Sequence, residues 1–461
     1  MRVLVLERHN VPGGCASFFQ RSGFRFDVGA TLVGGFGARG AHARIFGELG
    51  IDLAATRVEP AMVVHLGDLR IVRFGDRRWP AERVRAFGAG AERFWRTQER
   101  LADLAWDFAA RLPGSPACLS GPLALVSAFR GRDLGLLPAL GRTVASILPR
   151  GDVLLRRFVD VQLLITAQCD AATADLAYGA TALDLAREGT FHLTGGVSAI
   201  SVALARAVRR FGSEIAYNRE VASVLVEGGR AAGVTLAGGE RIPAARVVLA
   251  VPLLDAVRLS ADLRRAYADK IAVQPQRWGA FMAYVGLPPG AVPDDVALHH
   301  QVVLDPAQPL GEGNSAFVSF STPREPGRAR GGGRAVTLST HTDVALWERA
   351  ERDGGSGELR ERYASRLLRA LERAVPGASE RIALLETATP RTFLNYTGRA
   401  RGLVGGVPQT PASATLGAFS QRTPVRGLFV CGDTTFPGQS TVGATLSGNA
   451  AGRAALWGAT G

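Results

Sequence analysis

The sequence predicts an α/β protein in which a domain with a parallel sheet is interrupted by an α+β domain with an antiparallel sheet. Near the N-terminus, the continuous apolar run Val3–Leu6 ends in Glu7, as is typical of a buried parallel strand. Near the C-terminus, the apolar run Leu428–Cys431 ends in Gly432-Asp433 and is followed by a helix rich in small residues. Between them, residues 278–341 contain several alternating runs, the pattern of antiparallel strands.

The composition is that of a globular protein with at least two domains. The chain has 461 residues, 47% of them hydrophobic and 21% charged, and a formal net charge of +13. No zinc-ligand spacing and no interleaving of aromatic and basic residues accompanies this charge, so we predict no nucleic-acid partner and no metal.

No apolar run reaches the roughly 18 residues of a membrane span. Four widely spaced cysteines predict free thiols in a reducing compartment, the cytoplasm: Cys15, Cys118, Cys169 and Cys431.

The N-terminal motif has the residues of a dinucleotide site. A carboxylate at the position of Glu7, directly after a parallel strand, usually accepts hydrogen bonds from a ribose hydroxyl. The loop Pro12-Gly13-Gly14 follows, and then the run Phe24–Thr31 with Asp27 and Gly29. The two glycines favour a tight turn, which is their role with or without a ligand.

The C-terminal motif places a second carboxylate at a sheet edge. Asp433 follows a buried strand at its carboxyl end, where α/β folds hold ligands. The next helix begins near Val442-Gly443, and its free N–H groups and positive dipole end favour an electron-rich ligand atom. These residues alone fit a cofactor site and an ordinary strand–turn–helix crossover equally well.

Taken together, the two motifs resemble the phytoene desaturase family of FAD-dependent oxidoreductases, which includes carotenoid desaturases, carotenoid isomerases and retinol saturases. The resemblance implies a Rossmann-like FAD-binding domain and FAD as the cofactor. It assigns Glu7 to the adenosine ribose and Asp433 to the ribityl hydroxyls. It places Gly13 and Gly14 near the pyrophosphate and ring, the backbone of Val221 at the adenine, and the N–H groups of Val442 and Gly443 near the pyrimidine carbonyl of the ring.

In that family, a strand, a G-x-G-x-x-G turn and a helix precede the strand that bears the acid, and the turn holds the pyrophosphate. No such turn precedes Glu7, so the first βα unit is absent from the sequence as given. We expect the true start to lie roughly 25–30 residues upstream, the length of a strand–turn–helix unit. A truncated, inactive form is the alternative.

The remaining elements predict how the domains alternate along the chain. We expect helices over 81–112 and 355–375, a helix from Gly195-Gly196 to about Phe211, and a hairpin of Met62–Leu66 with Leu69–Phe74. The stretch 122–155 predicts either two amphipathic core helices or helices resting on a membrane. The predicted domains are 1–75, 191–255 and 401–461 for FAD binding, 76–190 for a helical region contacting substrate and membrane, and 256–400 for the substrate sheet and helix.

The sequence offers no cluster of titratable residues typical of acid–base catalysis, and we assign no catalytic residue. For His9 and His42 we expect a surface or loop-capping role. His192 is a candidate for the substrate chamber. The pair His299-His300 is more typical of a strand end than of a metal site. Asp27 either caps the turn before Gly29 or accepts a hydrogen from substrate or flavin.

Within the family, the closest resemblance is to bacterial C-3',4' carotenoid desaturases. It rests on Phe24–Thr31, on the runs Val33–Phe36 and His42–Phe46, and on 157–162 and 180–183. It implies hydride transfer from a lipophilic carotenoid to flavin, in a protein that contacts the membrane peripherally. The alternatives are a flavin-dependent carotenoid cis–trans isomerase and, in another class, an amine oxidase-like flavoenzyme. The sequence makes no prediction of the oligomeric state.

Overall fold

The computed structural model describes residues 2–29, 31–112, 128–274, 276–323, 325 and 327–457. It confirms the predicted α/β class, with helices surrounding several sheets. Cys118 and the first part of the predicted stretch 122–155 lie outside the described residues. The other three cysteines, Cys15, Cys169 and Cys431, are free thiols, as expected. Among the described helices, none combines the length and the apolar composition that a membrane crossing requires.

Eighteen strands are present in the described part of the chain. In chain order they are β1 (Leu4–Leu6), β2 (Phe18–Arg21), β3 (Phe24–Asp27), β4 (Ala55–Arg57), β5 (Met62–Leu66), β6 (Leu69–Arg73), β7 (Phe191–Leu193), β8 (Glu214–Ala216), β9 (Val221–Glu227), β10 (Arg230–Leu236), β11 (Arg241–Pro243), β12 (Val247–Leu249), β13 (Trp278–Leu287), β14 (His299–Val303), β15 (Ser315–Phe320), β16 (Arg334–Asp343), β17 (Leu384–Ala388) and β18 (Leu428–Val430).

Twelve α-helices accompany the strands in the same described ranges. They are α1 (Ala41–Glu48), α2 (Trp79–Phe87), α3 (Glu92–Arg111), α4 (Val153–Ala167), α5 (Leu176–Glu188), α6 (Ser198–Arg210), α7 (Leu253–Leu259), α8 (Ala261–Ala272), α9 (Val344–Arg352), α10 (Ser356–Ala374), α11 (Pro390–Thr397) and α12 (Ser440–Trp457). The predicted helices ending near Phe211 and over 355–375 correspond to α6 and α10.

The two motif strands lie in separate parallel ladders. Strand β1 pairs with β8, and β18 pairs with β12, each in parallel register. The parallel direction of β1 agrees with the sequence, but its predicted burial is wrong, since the side chains of Val3, Leu4 and Val5 are 44%, 41% and 36% exposed. In the described residues, β1 is hydrogen bonded to a strand on one edge only, which leaves its other edge and side chains uncovered.

A seven-stranded sheet forms the largest layer, with the strand order β17-β13-β16-β15-β14-β5-β6. The four runs predicted between residues 278 and 341 form the antiparallel strands β13 to β16 at its centre. The hairpin β5–β6 forms as predicted and joins the sheet edge through a parallel pairing with β14. The hairpin falls within the predicted domain 1–75, and its hydrogen bonds connect it to the seven-stranded sheet. The side chains of α10, including Tyr363 and Leu367, cover the sheet in one apolar core.

The helical region differs from the prediction in two places. The single helix expected over 81–112 is broken into α2 and α3 at Gly88, whose φ of 75° ends the first helix. Between residues 128 and 152, short 3-10 segments (Gly131–Ala139 and Val144–Ile147) replace the expected helices. Pro138 and the repeated glycines explain this, because proline removes a backbone donor and glycine weakens an α-helix. An α-helix resumes at α4, where the Asp152 side chain accepts a hydrogen bond from Leu155 N.

Four histidines with strongly lowered pKa values predict that the fold weakens in mild acid. Burial lowers the pKa of His65 and His341 to about 4 and that of His299 and His300 to about 3. His300 Nε2 donates to Ala297 O, so its Nδ1 accepts a hydrogen bond from His65 Nε2 at 3.1 Å. An unfolded histidine binds a proton near pH 6.5, whereas these side chains stay neutral in the fold. Their contribution is therefore complete above pH 6.5 and is lost as the pH falls from 6.5 towards 4.

We expect the free energy of unfolding to fall by up to about 1.4 kcal/mol per pH unit for each such histidine over this range. Denaturant titrations at pH 7, 6 and 5 measure the slope. Replacing His65 and His300 together by Gln should make the slope shallower. An unchanged slope in that double variant would contradict the assignment.

Candidate functional site

One large cavity, with a volume of about 2800 Å³, runs between the parallel ladders and the seven-stranded sheet. Residues from both ends of the chain line it, together with residues from the helical region and the sheet. The structure brings all the predicted cofactor-binding residues to this one cavity: Glu7, Gly13, Gly14, Val221, Asp433, Val442 and Gly443.

Glu7 and Val221 lie at the same end of the cavity. Glu7 follows β1, and its Oε1 accepts a hydrogen bond from His9 N at 2.8 Å. The Glu7 carbonyl accepts one from Arg219 N at 2.9 Å, which brings the start of β9, and therefore Val221, next to the strand acid. This pairing follows from the parallel register of β1 with β8, because the chain leaves both strands at the same sheet edge.

Gly13 and Gly14 form a turn in which the surroundings of the two glycines differ. Both have positive φ, 115° and 54°. A Cβ on Gly13 would lie 2.7 Å from Ser201 Oγ, so this glycine lets α6 pack closely. A Cβ on Gly14 would meet no atom within 4 Å, since that side of the turn is open space at the cavity. Gly13 therefore has a packing role, and the space beside Gly14 is open to the cavity.

Asp433 forms a half-buried ion pair that the sequence analysis did not predict. Its Oδ2 lies 2.8 Å from Arg399 Nη1, and both residues line the cavity. Arg399 is fixed further by a hydrogen bond from its Nε to Leu403 O at 2.6 Å. Burial acts to lower the pKa of the Arg399 guanidinium, but Asp433 and other nearby negative charges outweigh burial and raise it, so Arg399 is a permanent cation. Arg399 belongs to no recognised motif.

The N-terminus of α12 also lines the cavity. The helix begins at Ser440, two residues before the predicted start, and Gly443 N donates to Ser440 Oγ at 3.1 Å. A Cβ on Gly443 would lie 2.1 Å from Gly438 O, so only glycine allows the preceding loop this approach. Val442 is buried beside it.

His42 holds α12 in place. The expected surface position is wrong, whereas the expected loop-capping role is present in its hydrogen bond to Gly34. The residue is fully buried within α1. Its Nδ1 donates to Gly34 O at 2.8 Å, which leaves Nε2 to accept from Thr445 Oγ1 at 3.1 Å. Burial lowers the pKa of His42, so the ring is neutral and keeps this donor–acceptor pattern. Sequence alone did not find this link, because its two partners are about 400 positions apart.

Beyond the carboxylates and glycines, the cavity continues as an apolar arm. Its walls come from the helical region and from the sheet, and include Trp106, Leu136, Ile165, Ala182, Met282 and Phe317. Two glutamines in the arm use their amide donors on protein groups: Gln301 Nε2 donates to Val161 O at 2.7 Å, and Gln168 Nε2 donates to His341 Nε2 at 3.1 Å. Because burial lowers the pKa of His341 to about 4, this ring is neutral at pH 7 and is no base poised for that pH.

Two other predicted candidates lie away from this cavity. Asp27 accepts hydrogen bonds from Val197 N at 3.1 Å and from Arg328 Nη2 at 2.7 Å, so it links α6 to the loop before β16 and contacts no cofactor space. His192 pairs with Glu325 at 2.9 Å, outside the chamber for which it was a candidate. His299 and His300 lie within β14. The described residues contain no cluster of three or more side chains suited to a metal ion.

The residues of the cavity fit FAD. The cofactor needs an acceptor for its ribose hydroxyls, an acceptor for its ribityl hydroxyls and free space along a backbone turn. Glu7, Asp433 and Gly14 provide these on one continuous surface. Glu7 and Val221 would hold the adenosine end, and Asp433, Val442 and Gly443 the ribityl and ring end.

Replacing Asp433 by Ala should weaken both FAD and riboflavin binding by roughly 10- to 100-fold, since both ligands carry the ribityl hydroxyls and a hydrogen bond to a carboxylate contributes about 1.5–3 kcal/mol. Fluorescence titration of each ligand measures the change. The matched control is Glu386→Ala, which removes a carboxylate elsewhere on the cavity rim. Equal affinities of the Asp433 variant and the unsubstituted protein for both ligands would contradict the role of Asp433.

Comparison with known proteins places the chain in a family. The family described as flavin containing amine oxidoreductase matches residues 1–456. The chain is 27% identical to prolycopene isomerase from Arabidopsis thaliana, over 97% of this chain and 77% of that protein. It is 26% identical to phytoene desaturase (neurosporene-forming) from Cereibacter sphaeroides, over 96% and 88%.

Solved structures agree in fold. Cyclohexylamine oxidase from Brevibacterium oxydans superimposes with a TM-score of 0.60 at 15% identity, over 98% of this chain and 93% of that chain. An oxidoreductase from Methanosarcina mazei gives 0.61 at 18% identity, over 97% and 93%. Since the family match covers nearly the whole sequence, the chain belongs to the flavin containing amine oxidoreductases and is a flavin-dependent oxidoreductase that uses FAD.

Proposed function

We propose that this protein is a carotenoid desaturase that introduces a double bond into one end of a polyene, of the C-3',4' type. The observation that carries the proposal is the apolar arm, which continues directly from the predicted flavin site within one cavity of about 2800 Å³. A polyene has no acidic proton and no polar handle, so its oxidation needs a dry channel beside the cofactor rather than an acid–base pair.

The residues of the chamber act by position and by excluding water. Apolar side chains such as Ile165, Ala182 and Met282 line the arm and favour a hydrocarbon over water. The amide N–H groups of Gln301 and Gln168 donate to protein acceptors, so these hydrogen bonds are not available to a ligand. Bound FAD supplies the hydride acceptor.

A carotenoid cis–trans isomerase is the second candidate. The four relatives called prolycopene isomerase match 97% of the chain at 26–27% identity, whereas two of the three phytoene desaturases match little more than half of it. The same chamber suits this reaction, because isomerisation also requires a polyene held against the flavin. The amine oxidases among the solved structures are under 25% identical, so they support the fold without indicating an amine substrate.

Pigment analysis separates these candidates. Cells that make acyclic carotenoids, with and without this gene, are extracted and the pigments analysed by mass and absorption spectra. Desaturation predicts a product lighter by two hydrogens with a longer conjugated system, and Asp433→Ala should reduce its amount. An unchanged mass with altered isomer geometry would favour the isomerase. Unchanged pigments would contradict both.

We also propose that an anionic membrane surface delivers the carotenoid. Large apolar side chains are exposed between residues 129 and 153, with Leu134, Leu137 and Val153 at 55%, 53% and 80% exposure. The exposed arginines Arg130 and Arg142 lie among them and would interact with acidic headgroups. Leu136, in the same 3-10 segment as Leu134 and Leu137, lines the apolar arm, so the patch lies next to the chamber.

Replacing Leu134 and Leu137 by Glu should abolish co-flotation with vesicles of anionic lipid while leaving FAD binding intact. Burial of two leucines contributes about 1.5–3 kcal/mol each, and added negative charge repels the surface. Leu416→Glu, an equally exposed leucine outside the patch, is the matched control. Full flotation of the double variant would refute this docking surface.

A further inference from the structure

We propose that Arg8 and Arg399 together bind the pyrophosphate of FAD. The inference rests on FAD as the cofactor and goes beyond the residues that the motifs indicate. It does not depend on which carotenoid, if any, the protein oxidises.

The two arginines lie between the two carboxylates that mark the ends of the cofactor site. Arg8 directly follows Glu7, the predicted ribose acceptor, and Arg399 pairs with Asp433, the predicted ribityl acceptor, at 2.8 Å. In FAD, the pyrophosphate is the group that connects the adenosine ribose to the ribityl chain. A cofactor that reaches from Glu7 to Asp433 therefore brings its pyrophosphate past these two side chains, and both line the cavity.

The Arg8 side chain lies against Gly398, the residue that precedes Arg399. This residue ends α11 with a φ of 72°, and Arg399 follows it directly. The Arg8 side chain packs over its Cα, since a Cβ on Gly398 would lie 2.2 Å from Arg8 Nη1 and 3.2 Å from Arg8 Cζ. The carbonyl end of a helix favours a cation, which helps to hold Arg8 there. Gly398 thus has no side chain to separate Arg8 from the α11 terminus that carries Arg399.

Both guanidinium groups have donors left for a ligand. Arg399 uses Nε for Leu403 O and Nη1 for Asp433, and among the described residues its Nη2 has no hydrogen-bond partner. Its small exposed fraction, 12%, belongs to a side chain that lines the cavity. The charged partner of Arg8 is Glu220 at 3.9 Å, beyond hydrogen-bond distance, and within the described ranges the Arg8 guanidinium makes no hydrogen bond.

Two other arginines that line the cavity, Arg73 and Arg219, already have partners in the protein. Arg73 donates to the carbonyls of Phe74 and Leu183, and Arg219 pairs with Glu240. Two guanidinium groups with free N–H donors suit a diphosphate, because each forms short, charge-assisted hydrogen bonds to phosphate oxygens. The competing explanation is that Arg399 only orients Asp433, in which case it affects the ribityl chain and not the pyrophosphate.

Three ligands separate these explanations: FAD, riboflavin, which has the ribityl chain but no phosphate, and ADP, which has the diphosphate but no ribityl chain. Their dissociation constants are measured by calorimetry or fluorescence for the full chain and for Arg8→Gln, Arg399→Gln and Arg399→Lys. Arg21→Gln is the matched control, since it removes a positive charge at the cavity rim from a residue paired with Glu386. Thermal unfolding of each ligand-free variant verifies that it folds.

We expect each Gln variant to bind FAD and ADP roughly 10- to 100-fold more weakly, with riboflavin affinity unchanged. Arg399→Lys, which keeps the charge and loses the planar fork, should lie between Arg399→Gln and the unsubstituted chain. Raising the salt concentration should weaken FAD binding less in the Gln variants, because fewer charge contacts remain to be screened. If riboflavin affinity falls as much as FAD affinity, or if either arginine can be replaced without loss of ADP affinity, the proposal is wrong. Because none of these dissociation constants involves a carotenoid, their outcome does not depend on whether the proposed reaction is correct.

Discussion

The rest of the structure depends on one constraint: a single cavity must be walled by residues from both ends of the chain. Glu7 and Asp433 are more than 400 positions apart, yet both line it. A space of about 2800 Å³ lacks the close packing that stabilises a protein interior, so specific polar contacts hold its walls. The hydrogen bonds of His42 and the Arg399–Asp433 ion pair are such contacts. A cofactor that binds the folded chain alone stabilises it by mass action, which couples cofactor binding to the integrity of the fold.

The cavity has two parts with opposite chemistry. The end lined by Glu7 and Asp433 carries carboxylates, guanidinium groups and glycine turns, whereas the arm is apolar and its histidine is neutral at pH 7. This division suits a reaction in which the cofactor holds the redox chemistry and the protein holds a hydrocarbon in place. It also explains why no acid–base motif was found in the sequence. We propose that a lipophilic molecule enters at the protein surface beside the arm, where the exposed leucines lie.

The sequence was most informative where a motif is local. The strand acid, the glycine turn and the Gly-Asp loop each lie within a few residues, and all of them reach the cavity. Long-range pairings were not predictable in the same way: the parallel pairing of β5 with β14 joins segments more than 200 residues apart and carries no local signal. Arg399 was missed because a lone arginine after a helix has no pattern, and His42 because burial depends on the distant Thr445. The break at Gly88 and the 3-10 segments show how glycine and proline override apolar periodicity.

In the proposed reaction, a polyene in the apolar arm reduces the flavin ring that lies directly beside it in the same cavity. Anaerobic mixing of the FAD-loaded protein with a colourless polyene, delivered in vesicles, tests this directly, because oxidised flavin absorbs at about 450 nm and reduced flavin does not. Desaturation predicts that this absorbance disappears in proportion to the polyene added, and that a simple primary amine leaves it unchanged. Bleaching by the amine with none by the polyene would contradict the account.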